Sequence, residues 1–484
     1  MDKTVDYVII AAYLIGVAIF GAIKGGKQTS SRDYFLGAKS VPWWAVCFSI
    51  VAAETSTLTF ISIPGLAYIT NLNFLQVTFG YLLGRIIIAI YFLPAYYKGD
   101  LTTAYGFLEN RFGSKTRSFS SIVFIFTRMA ADGVRLFATA IPLKLMLDIS
   151  YPVAIFIIAI IALTYTYIGG VKGVIWVDVI QMIIYLGGAA IALGFLVWGF
   201  LPEGINSIIL SSQTDNKLEL FNWGFSSGFS EFFADPYTVI AGIIGGAFLS
   251  MASHGTDQLI VQRLLTIKSL KESQKAIVWS GVLVIIQFAI FLFVGLALYS
   301  YYGTYQLDTL GISKSDEIFP LFIINNLPVG ISGIIIAGLF AAALSTLAGS
   351  MSALASSTML DLYKPFTGIN DEKKELRISR IFTLMWAVLL IGSAFFFLTS
   401  PQTVVELALS IASFTYGGLL GTFILGLVNK RAVQEDALAG FTGGIFIMIT
   451  VISLQLVAWT WYTLIGVVAT VTIGSLLSRL QRDH

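Results

Sequence analysis

The sequence has very few of the residues on which disulfide cross-linking, metal binding and nucleophilic catalysis depend. Among its 484 residues are one cysteine, Cys47, and two histidines, His254 and His484. A single cysteine cannot form an intrachain disulfide. So few cysteines and histidines also provide no metal-ligand cluster and no convergent nucleophile and base. We therefore expect that the protein is not an enzyme.

Charged residues are scarce as well. Asp, Glu, Lys and Arg make up 12% of the chain, whereas soluble domains contain about 25%. Hydrophobic residues make up 57%, and the mean hydropathy is +0.84. This composition excludes a soluble core and indicates a multi-pass protein of the plasma membrane, the inner membrane in a bacterium. The net charge of +2 argues against nucleic acid as a partner, and nothing indicates an obligatory protein partner.

Apolar stretches long enough to cross a bilayer recur along the whole chain. A bilayer core about 30 Å thick requires about 20 apolar residues per helix. By this criterion we predict about thirteen transmembrane helices, called spans 1 to 13, near residues 4–23, 43–66, 73–97, 118–147, 150–169, 174–201, 237–262, 276–302, 329–361, 378–399, 403–428, 436–457 and 460–478. The apolar run of span 1 is too long for a signal peptide.

Lysine and arginine are distributed unevenly between the loops. Basic residues cluster after spans 1, 3, 7, 9 and 11 and in the tail, with Lys172 after span 5, whereas the longest of the other loops holds Lys217 among acidic residues. By the positive-inside rule, the N-terminus lies outside, the C-terminus is cytoplasmic and the number of spans is odd. Because the loops are short, we expect a single transmembrane domain over residues 1–484.

Two spans carry polar residues at membrane depth. Span 9 contains Ser345 and Thr346 near its middle, and span 2 contains Glu54 followed by hydroxyl residues. A polar group in hydrocarbon needs a partner, because leaving it unpaired costs several kcal/mol. Two such spans, far apart in the chain, indicate a solute or ion site within the membrane. The alternative is that both hydroxyls bond to carbonyls of their own helix.

Four motifs, in this order along the chain, resemble the sodium:solute symporter family, which includes glucose, proline, iodide, vitamin and sialic acid carriers. They are PWWAVCFSIVAAETS (42–56), GGVKGVIWVDVIQ (169–181), HGTDQLIVQRLL (254–265) and AAALST (341–346), the last followed by DLYKP (361–365). The resemblance covers nearly the whole chain.

The resemblance implies an all-α, LeuT-like fold with two five-helix repeats of inverted topology. Residues 42–201 would form the first repeat and residues 237–428 the second. Residues 1–41 and 432–484 would hold one and two peripheral helices. Spans 2 and 7 would be the broken helices. Their small or polar residues support this, and in span 7 these residues are Gly245, Gly246, Ser250 and Ser253. An interrupted helix frees backbone carbonyls, which are good ligands for a hard cation.

The resemblance also implies a co-transported sodium ion between spans 2 and 9. The implied ligands are the hydroxyls or carbonyls of Ala52, Thr55, Ala342, Ser345 and Thr346. Some relatives hold a second sodium at the counterpart of Asp178, together with hydroxyls one turn beyond the first site. Here Ala348 and Gly349 have no side-chain oxygen. We therefore favour one sodium per cycle, with Asp178 paired to a nearby hydroxyl or to Lys172.

Charged residues within spans 2 and 4 provide candidates for solute binding, because such residues are costly in hydrocarbon and usually functional. Glu54 could attract sodium, bind an amino group or pair with an arginine. Arg128, Asp132 and Arg135 share one helix face. Asp132 would neutralise one arginine and leave the other for Glu54 or an anionic solute, although a self-contained structural network is the alternative. Sialic acid carriers of the family bind a carboxylate through an arginine of the corresponding helix, which makes Arg135 the candidate anion ligand.

Several polar residues are further candidates for lining the solute pocket. Two charged residues are candidates for an inner gate. The candidate lining residues are Ser56, Thr59, Gln76, Thr78, His254 and Thr415. Sugar carriers of the family have glutamine and glutamate where this chain has Thr59 and Thr78, so a hexose is disfavoured. Asp257 and Arg263 lie near a helix end, where we expect an ion pair when the inner gate shuts. Arg128 and Asp132 would belong to the same ion network.

These features predict a sodium-coupled secondary active symporter that imports a small polar organic solute by alternating access. The arginines of span 4 favour an organic anion, such as a monocarboxylate or sialic acid. A zwitterionic amino acid is the alternative, because Glu54 could face its ammonium group. A membrane sensor and a channel are less favoured. The expected partners are the solute, sodium and the lipid bilayer.

Overall fold

The computed structural model describes residues 4–147, 149–224, 228–303, 307–312, 314–397 and 404–480. Within these ranges the chain is helical, and the only β-type pairing is a single bridge between Asn222 and Thr238. The predicted all-α class is therefore confirmed.

The described ranges contain twenty-one α-helices. In chain order they are α1 (Thr4–Gly25), α2 (Ser31–Leu36), α3 (Trp43–Glu54), α4 (Thr57–Ile69), α5 (Leu75–Ile87), α6 (Leu93–Lys98), α7 (Gly106–Phe112), α8 (Ser114–Leu147), α9 (Tyr151–Phe195), α10 (Ile205–Thr214), α11 (Phe229–Ala234), α12 (Gly246–Gly255), α13 (Gln258–Leu265), α14 (Leu270–Tyr302), α15 (Ile318–Asn326), α16 (Ile331–Ser357), α17 (Lys364–Thr367), α18 (Glu372–Phe396), α19 (Val404–Val428), α20 (Gln434–Ser453) and α21 (Tyr462–Leu480). Single π-helical turns occupy Ile88–Phe92, Leu196–Phe200, Ala241–Gly245 and Thr358–Tyr363.

Many of these helices suit a membrane. Within the described residues, eight helical stretches are long and apolar enough to cross one, or nine if the bent pair Ser31–Lys39 and Trp43–Glu54 counts as a single span. Each of the predicted spans overlaps a helix or a pair of helices. The chain is thus a multi-pass membrane protein in which the apolar stretches of the sequence coincide with helices.

The longest helix, α9, covers two predicted spans. It runs for 45 residues, but Gly170 within it has φ 57° and ψ −163°, which is not a helical conformation. A Cβ atom at this position would also lie 2.6 Å from the carbonyl oxygen of Tyr34. Glycine adopts positive φ without strain, so it allows the chain to turn here between spans 5 and 6.

The predicted break in span 2 is present. Helix α3 ends at Glu54 and α4 begins at Thr57, with Thr55 and Ser56 in extended conformations between them. In this segment the backbone stops making regular helical hydrogen bonds. The carbonyls of the last turn of α3 are therefore available to other groups.

Span 7 is interrupted near its end, as the prediction of a broken helix requires. Helix α12 ends at Gly255 and α13 begins at Gln258, so the break lies beyond the small-residue stretch that starts at Gly245. The small residues serve close helix packing instead, since a Cβ at Gly246 would lie 2.4 Å from the carbonyl oxygen of Val77. Asp257 starts the new helix by accepting a hydrogen bond from a backbone N–H.

Helix α16, which carries Ser345 and Thr346, lies at the centre of the bundle. In its apolar stretch 89% of the residues are buried, compared with 22% for α1 at the periphery. It packs against α9, α1, α8 and α3. The Asp6 carboxylate of α1 accepts hydrogen bonds from the N–H groups of Gly330 and Gly333, at 2.6 and 3.0 Å, and from the Ser332 hydroxyl at 2.8 Å. Asp6 thereby caps the N-terminus of the central helix.

Polar contacts join several loops at the opposite end of α16. The Asp361 carboxylate accepts hydrogen bonds from Nε of Arg117 at 2.8 Å and from the Thr103 hydroxyl at 2.6 Å. The Ser31 hydroxyl donates to Glu375 at 2.8 Å. These residues follow spans 1, 3 and 9 or precede spans 4 and 10. Loops that the sequence places on one side of the membrane therefore meet.

Candidate functional site

A buried polar cluster surrounds Asp178 on α9. The Ser345 hydroxyl of α16 donates to one carboxylate oxygen at 2.6 Å, and the Ser49 hydroxyl of α3 donates to the other. Nη2 of Arg263 lies 3.1 Å from that second oxygen, and its Nε donates to Ser49 at 2.8 Å. Asp178 therefore pairs with hydroxyls, as one predicted alternative had it, and its cationic partner is Arg263 rather than Lys172.

Gly349 provides the space for this arginine. A Cβ atom at Gly349 would lie 2.4 Å from Nη2 of Arg263. A second sodium would need hydroxyl groups one turn beyond Ser345. In this structure the guanidinium group of Arg263 fills the space beside Gly349 at that level of the helix. The carboxylate of Asp178 is neutralised within the protein.

Thr346, one of the residues expected to bind sodium, lies next to this cluster in sequence, and two backbone carbonyls lie close to its hydroxyl. Oγ1 of Thr346 lies 3.2 Å from the carbonyl oxygen of Ala342 and 3.5 Å from that of Ala53, in the last turn of α3. Thr346 therefore bonds in part to its own helix, as the alternative predicted. Ser345 does not, because it donates its proton to Asp178 and keeps its lone pairs available. Several oxygens in one place are what a hard cation requires.

Side chains outside this group hold the broken segment in place. The Thr55 hydroxyl donates to the carbonyl of Val51 at 2.9 Å and accepts from the amide of Gln287, and Tyr185 donates to Gln287 at 2.7 Å. The carbonyls of Ala52 and Thr55, the other two predicted ligands, flank the end of α3 in this segment. Gln287 was not predicted, although a glutamine in the middle of apolar span 8 is the kind of signal that could have identified it.

A cavity of 160 Å³ lies next to the break in span 2. Five of the predicted solute ligands line it, namely Glu54, Ser56, Thr59, Arg135 and His254. Aromatic side chains, including Phe74, Tyr81, Phe288, Tyr416 and Trp459, form much of the remaining wall. The cavity thus combines apolar walls with a few polar groups, which is typical of small-molecule sites.

Three predicted lining residues lie elsewhere. Gln76 is fully buried, and its amide donates to the carbonyls of Asn73 and Tyr237 at 3.0 and 2.9 Å. Thr78 donates to the carbonyl of Leu75 at 2.7 Å. Neither residue lines the cavity, and at Gln76 helix α5 packs closely against Gly242, in the turn that precedes α12. Thr415 meets the hydroxyl of Thr127 at 2.7 Å and lines a separate small cavity.

Glu54 pairs with an arginine that sequence analysis did not consider. Its partner is Nη2 of Arg85, a fully buried side chain of α5, and not Arg128 or Arg135. Nη1 of Arg85 donates to the Ser280 hydroxyl at 2.8 Å. An arginine in the middle of span 3 is as costly in hydrocarbon as Glu54 itself, so this signal was present in the sequence.

His254 completes this cluster, and the hydrogen bonds assign its tautomer. Its Nδ1 lies 2.8 Å from the Ser253 hydroxyl, which donates its proton to the carbonyl of Leu249 at 2.9 Å. We therefore assign the ring proton to Nδ1, which then donates to Ser253. In the neutral ring Nε2 is then an acceptor, and it lies 3.0 Å from Nη2 of Arg85.

The charges of span 4 form an ion network, but Asp132 contacts both arginines and not only one of them, as was predicted. Asp132 pairs with Arg128 at 2.7 Å and with Arg135 at 3.1 Å. Arg128 also lies 3.1 Å from Asp257, which accepts from the Tyr416 hydroxyl at 2.9 Å.

Asp257 and Arg263, which we expect to pair when the inner gate shuts, are each paired with another residue in this structure. Asp257 caps α13 and faces α8, whereas Arg263, near the end of the same helix, faces α3 and α9.

Arg135 is the most exposed of the three arginines around the cavity. Its side chain is 26% exposed, compared with 6% for Arg128. Its Nε is buried without a hydrogen-bond partner among the described residues. The groups around the cavity nevertheless balance in formal charge, because Arg85, Arg128 and Arg135 stand against Glu54, Asp132 and Asp257.

Comparison with known proteins agrees with this architecture. The sequence profile of the sodium:solute symporter family matches residues 34–444. The chain belongs to the sodium:solute symporter family. Similar family proteins include the sodium/sialic acid symporter NanT of Aliivibrio fischeri, 29% identical over 99% of this chain and 94% of its own. The mouse sodium-coupled monocarboxylate transporter 2 is 29% identical over 91% of this chain and 71% of its own.

Solved structures of transporters share the fold. A substrate-bound, outward-open sodium-coupled sialic acid symporter aligns with a TM-score of 0.89 and 26% identity, over 98% of each chain. A nucleobase-cation-symport-1 transporter aligns with a TM-score of 0.57 at 13% identity, which shows a common fold. Membership of the family, sodium coupling and a multi-pass membrane location, all expected from the sequence, are thus confirmed.

Proposed function

We propose that this symporter imports a small organic anion across the plasma membrane together with one sodium ion, and that it is a transporter without catalytic activity. The observation that carries the proposal is Arg135, a partly exposed guanidinium in the cavity wall whose buried Nε–H group has no partner among the residues that the structure describes. A carboxylate suits such a group, because its two oxygens can accept from adjacent guanidinium N–H groups.

Charge balance favours an anion over a zwitterion. The six charged side chains around the cavity sum to zero when His254 is neutral. A sodium ion and a monoanion bound together preserve this sum, whereas sodium with a zwitterion leaves an excess positive charge. Glu54 is also already paired with Arg85, so it is a poor partner for an ammonium group. NanT and the mouse transporter are named for sialic acid and for monocarboxylates, both of which are carboxylates.

The proposed sodium site combines Ser345, Thr346 and the carbonyl of Ala342 with carbonyls of Ala52 and Thr55. Asp178 supports it indirectly, because it accepts the Ser345 proton and turns the lone pairs of that hydroxyl toward the ion. We assign no second sodium to Asp178. Arg263 already neutralises it, and Gly349 provides the space for that guanidinium.

The proposed topology has thirteen spans, an outside N-terminus and a cytoplasmic C-terminus. Two inverted repeats, residues 42–201 and 237–428, each contain one broken helix, at Thr55–Ser56 and at Thr256–Asp257. The contacts of Asp361 support the sidedness, since they join loops that the distribution of basic residues assigns to the cytoplasm.

Sodium and the anion would bind with mutual positive coupling, because each lowers the electrostatic cost of the other. One sodium and a monoanion move no net charge, so only the chemical sodium gradient drives uptake. A tenfold gradient supplies about 1.4 kcal/mol and supports about tenfold accumulation. In proteoliposomes an imposed potassium diffusion potential should leave the initial uptake rate unchanged. A rate that increases with an inside-negative potential would contradict the one-to-one stoichiometry.

The proposed function is tested by thermal unfolding of the purified full chain in detergent. The panel contains carboxylates (propionate, pyruvate, lactate, gluconate and N-acetylneuraminate), zwitterionic amino acids and glucose, each in sodium chloride and in matched potassium chloride. We expect at least one carboxylate to raise the midpoint in sodium and not in potassium. Stabilisation only by amino acids or glucose, or stabilisation that is independent of sodium, would overturn the proposal.

A further inference from the structure

We propose that Glu54 is a second solute ligand, which accepts a hydrogen bond from a hydroxyl or amide N–H group of the bound anion. The site would then prefer carboxylates that carry such a donor, for example hydroxy acids, over plain alkyl carboxylates. This inference rests on the proposed function, because it presupposes that the solute is a carboxylate held by Arg135.

The two oxygens of Glu54 have different surroundings. Oε2 contacts Arg85 and lies 3.5 Å from Nε2 of His254. Oε1 accepts no hydrogen bond from any described residue, and the side chain, 14% exposed, lines the cavity. A carboxylate oxygen that faces a cavity is completed by water or by a ligand, because an acceptor shut off from both is costly. Oε1 therefore presents an open acceptor to whatever occupies the cavity.

Arg85 determines the kind of group that Glu54 can accept. A fully buried guanidinium against Oε2 keeps the carboxylate ionised, and an ionised carboxylate accepts hydrogen bonds without donating any. A second cation at Oε1 would lie close to the guanidinium and be repelled by it. A neutral donor, a hydroxyl or an amide N–H, satisfies Oε1 without that repulsion.

His254 does not compete for this role. Its Nδ1 proton goes to Ser253, and its Nε2 receives a hydrogen from Arg85. The neutral ring therefore has no spare donor for Oε1. Arg135 of α8 lines the same cavity. Arg135 would therefore bind the carboxylate of the solute, and Glu54 of α3 would accept a hydrogen bond from its donor group.

A plain alkyl acid would satisfy Arg135 and leave Oε1 cut off from water. Hydrogen bonds to charged groups are worth enough to change an affinity by about tenfold to a hundredfold. This is the preference expected for a donor-bearing acid over its plain counterpart.

The test measures dissociation constants of the full purified chain in sodium, from ligand-dependent thermal shifts. The probes are three matched pairs, namely lactate and propionate, 3-hydroxybutyrate and butyrate, and gluconate and hexanoate, with N-acetylneuraminate as an acid rich in donors. They are compared between wild type and the double variant Glu54→Leu/Arg85→Met, which removes both charges together. Replacing a buried ion pair by apolar residues is often tolerated.

In the double variant we expect donor-bearing acids to lose about tenfold to a hundredfold in affinity while plain acids keep theirs. Ser280→Ala is the control. It removes a contact on the side of Arg85 away from Glu54 and should leave the preference unchanged.

Equal losses for both classes, or no loss for either, would overturn the role of Glu54 while leaving sodium-coupled anion binding intact. Failure of every acid to bind wild type in sodium would instead overturn the proposed function, and this inference with it. If the double variant does not fold, Glu54→Asp replaces it. That change keeps a carboxylate beside Arg85, but its shorter side chain moves the acceptor oxygen away from the cavity. It should weaken donor-bearing acids selectively, and an unchanged preference would contradict the proposal.

Discussion

The cluster around Asp178 and the cavity wall around Glu54 are built from similar groups but differ in how completely these groups are paired. In the first, one carboxylate, one guanidinium and two hydroxyls satisfy each other in a fully buried setting. In the second, Oε1 of Glu54 and Nε of Arg135 lack partners among the described residues.

This difference separates support from recognition. A saturated buried network has nothing to offer a ligand, and its effect is to orient Ser345 and to hold α3, α9 and α13 together. An unsaturated one is stable only if water or a ligand completes it. Both clusters flank the same break in span 2, so a single interrupted helix connects the proposed ion site to the proposed solute site.

Breaking the saturated cluster should have the largest effect. Arg263→Ala leaves the Asp178 carboxylate buried without its counter-ion, and removing one partner of a buried pair typically costs about 3–5 kcal/mol. We expect a large drop in the thermal unfolding midpoint in sodium and in potassium alike. A variant as stable as wild type would show that the cluster is not a tightly coupled unit.

Removing a group of the unsaturated cluster should affect binding more than folding. Arg135→Gln loses the proposed anion contact, which is worth about 1.5–3 kcal/mol, or about tenfold to a hundredfold in solute affinity. The unfolding midpoint without solute should change little, because Asp132 keeps Arg128 as its partner. Solute titrations in sodium measure the first quantity. A collapse of stability with unchanged affinity would reverse the assignment of the two clusters.

The sodium hydroxyls lie between the two regions, and we expect their removal to have a smaller effect than a change in either cluster. Thr346→Ala removes one proposed ligand, so we expect the sodium concentration for half-maximal uptake to rise severalfold, by about 1 kcal/mol. Solute affinity at saturating sodium should change much less.

Thr422→Ala is the matched control for this substitution. Thr422 is equally buried but donates to its own helix, at the carbonyl of Gly418. An equal shift in both variants would mean that the loss of any buried hydroxyl, rather than of a ligand, causes the effect.

An exposed ion pair at Asp100 should give the smallest stability effect of those compared. Lys39 and Arg32 lower the pKa of Asp100, whose side chain is 63% exposed. The stability that this pairing contributes is present above the ordinary value of 3.8 and is lost as the pH falls through the lowered value. Asp100→Asn should cost at most about 1 kcal/mol at neutral pH, and less at high salt. Unfolding midpoints at several pH and salt values measure this, and an effect as large as that of Arg263→Ala would contradict the ranking.

The sequence was sufficient to predict the helices and to single out the hydroxyls of span 9. It was not sufficient to predict which buried side chains pair with each other. Apolar length alone identifies a spanning helix, and adjacent hydroxyls at mid-span stand out. Which way a side chain on α5 points depends on how that helix packs, so Gln76 and Thr78 were placed in the cavity and Arg85 was overlooked. The small residues of span 7 indicated a broken helix without locating the break, because close packing and unwinding use the same residue types.

The cap that Asp6 forms has a practical consequence for work on this protein. Its carboxylate completes the first turn of α16, the helix that carries Ser345 and Thr346. An affinity tag or a deletion that disturbs the first turn of α1 would therefore act on the central helix from the edge of the bundle. Protein prepared for transport assays should keep Asp6 and carry any tag upstream of residue 1 or at the other terminus.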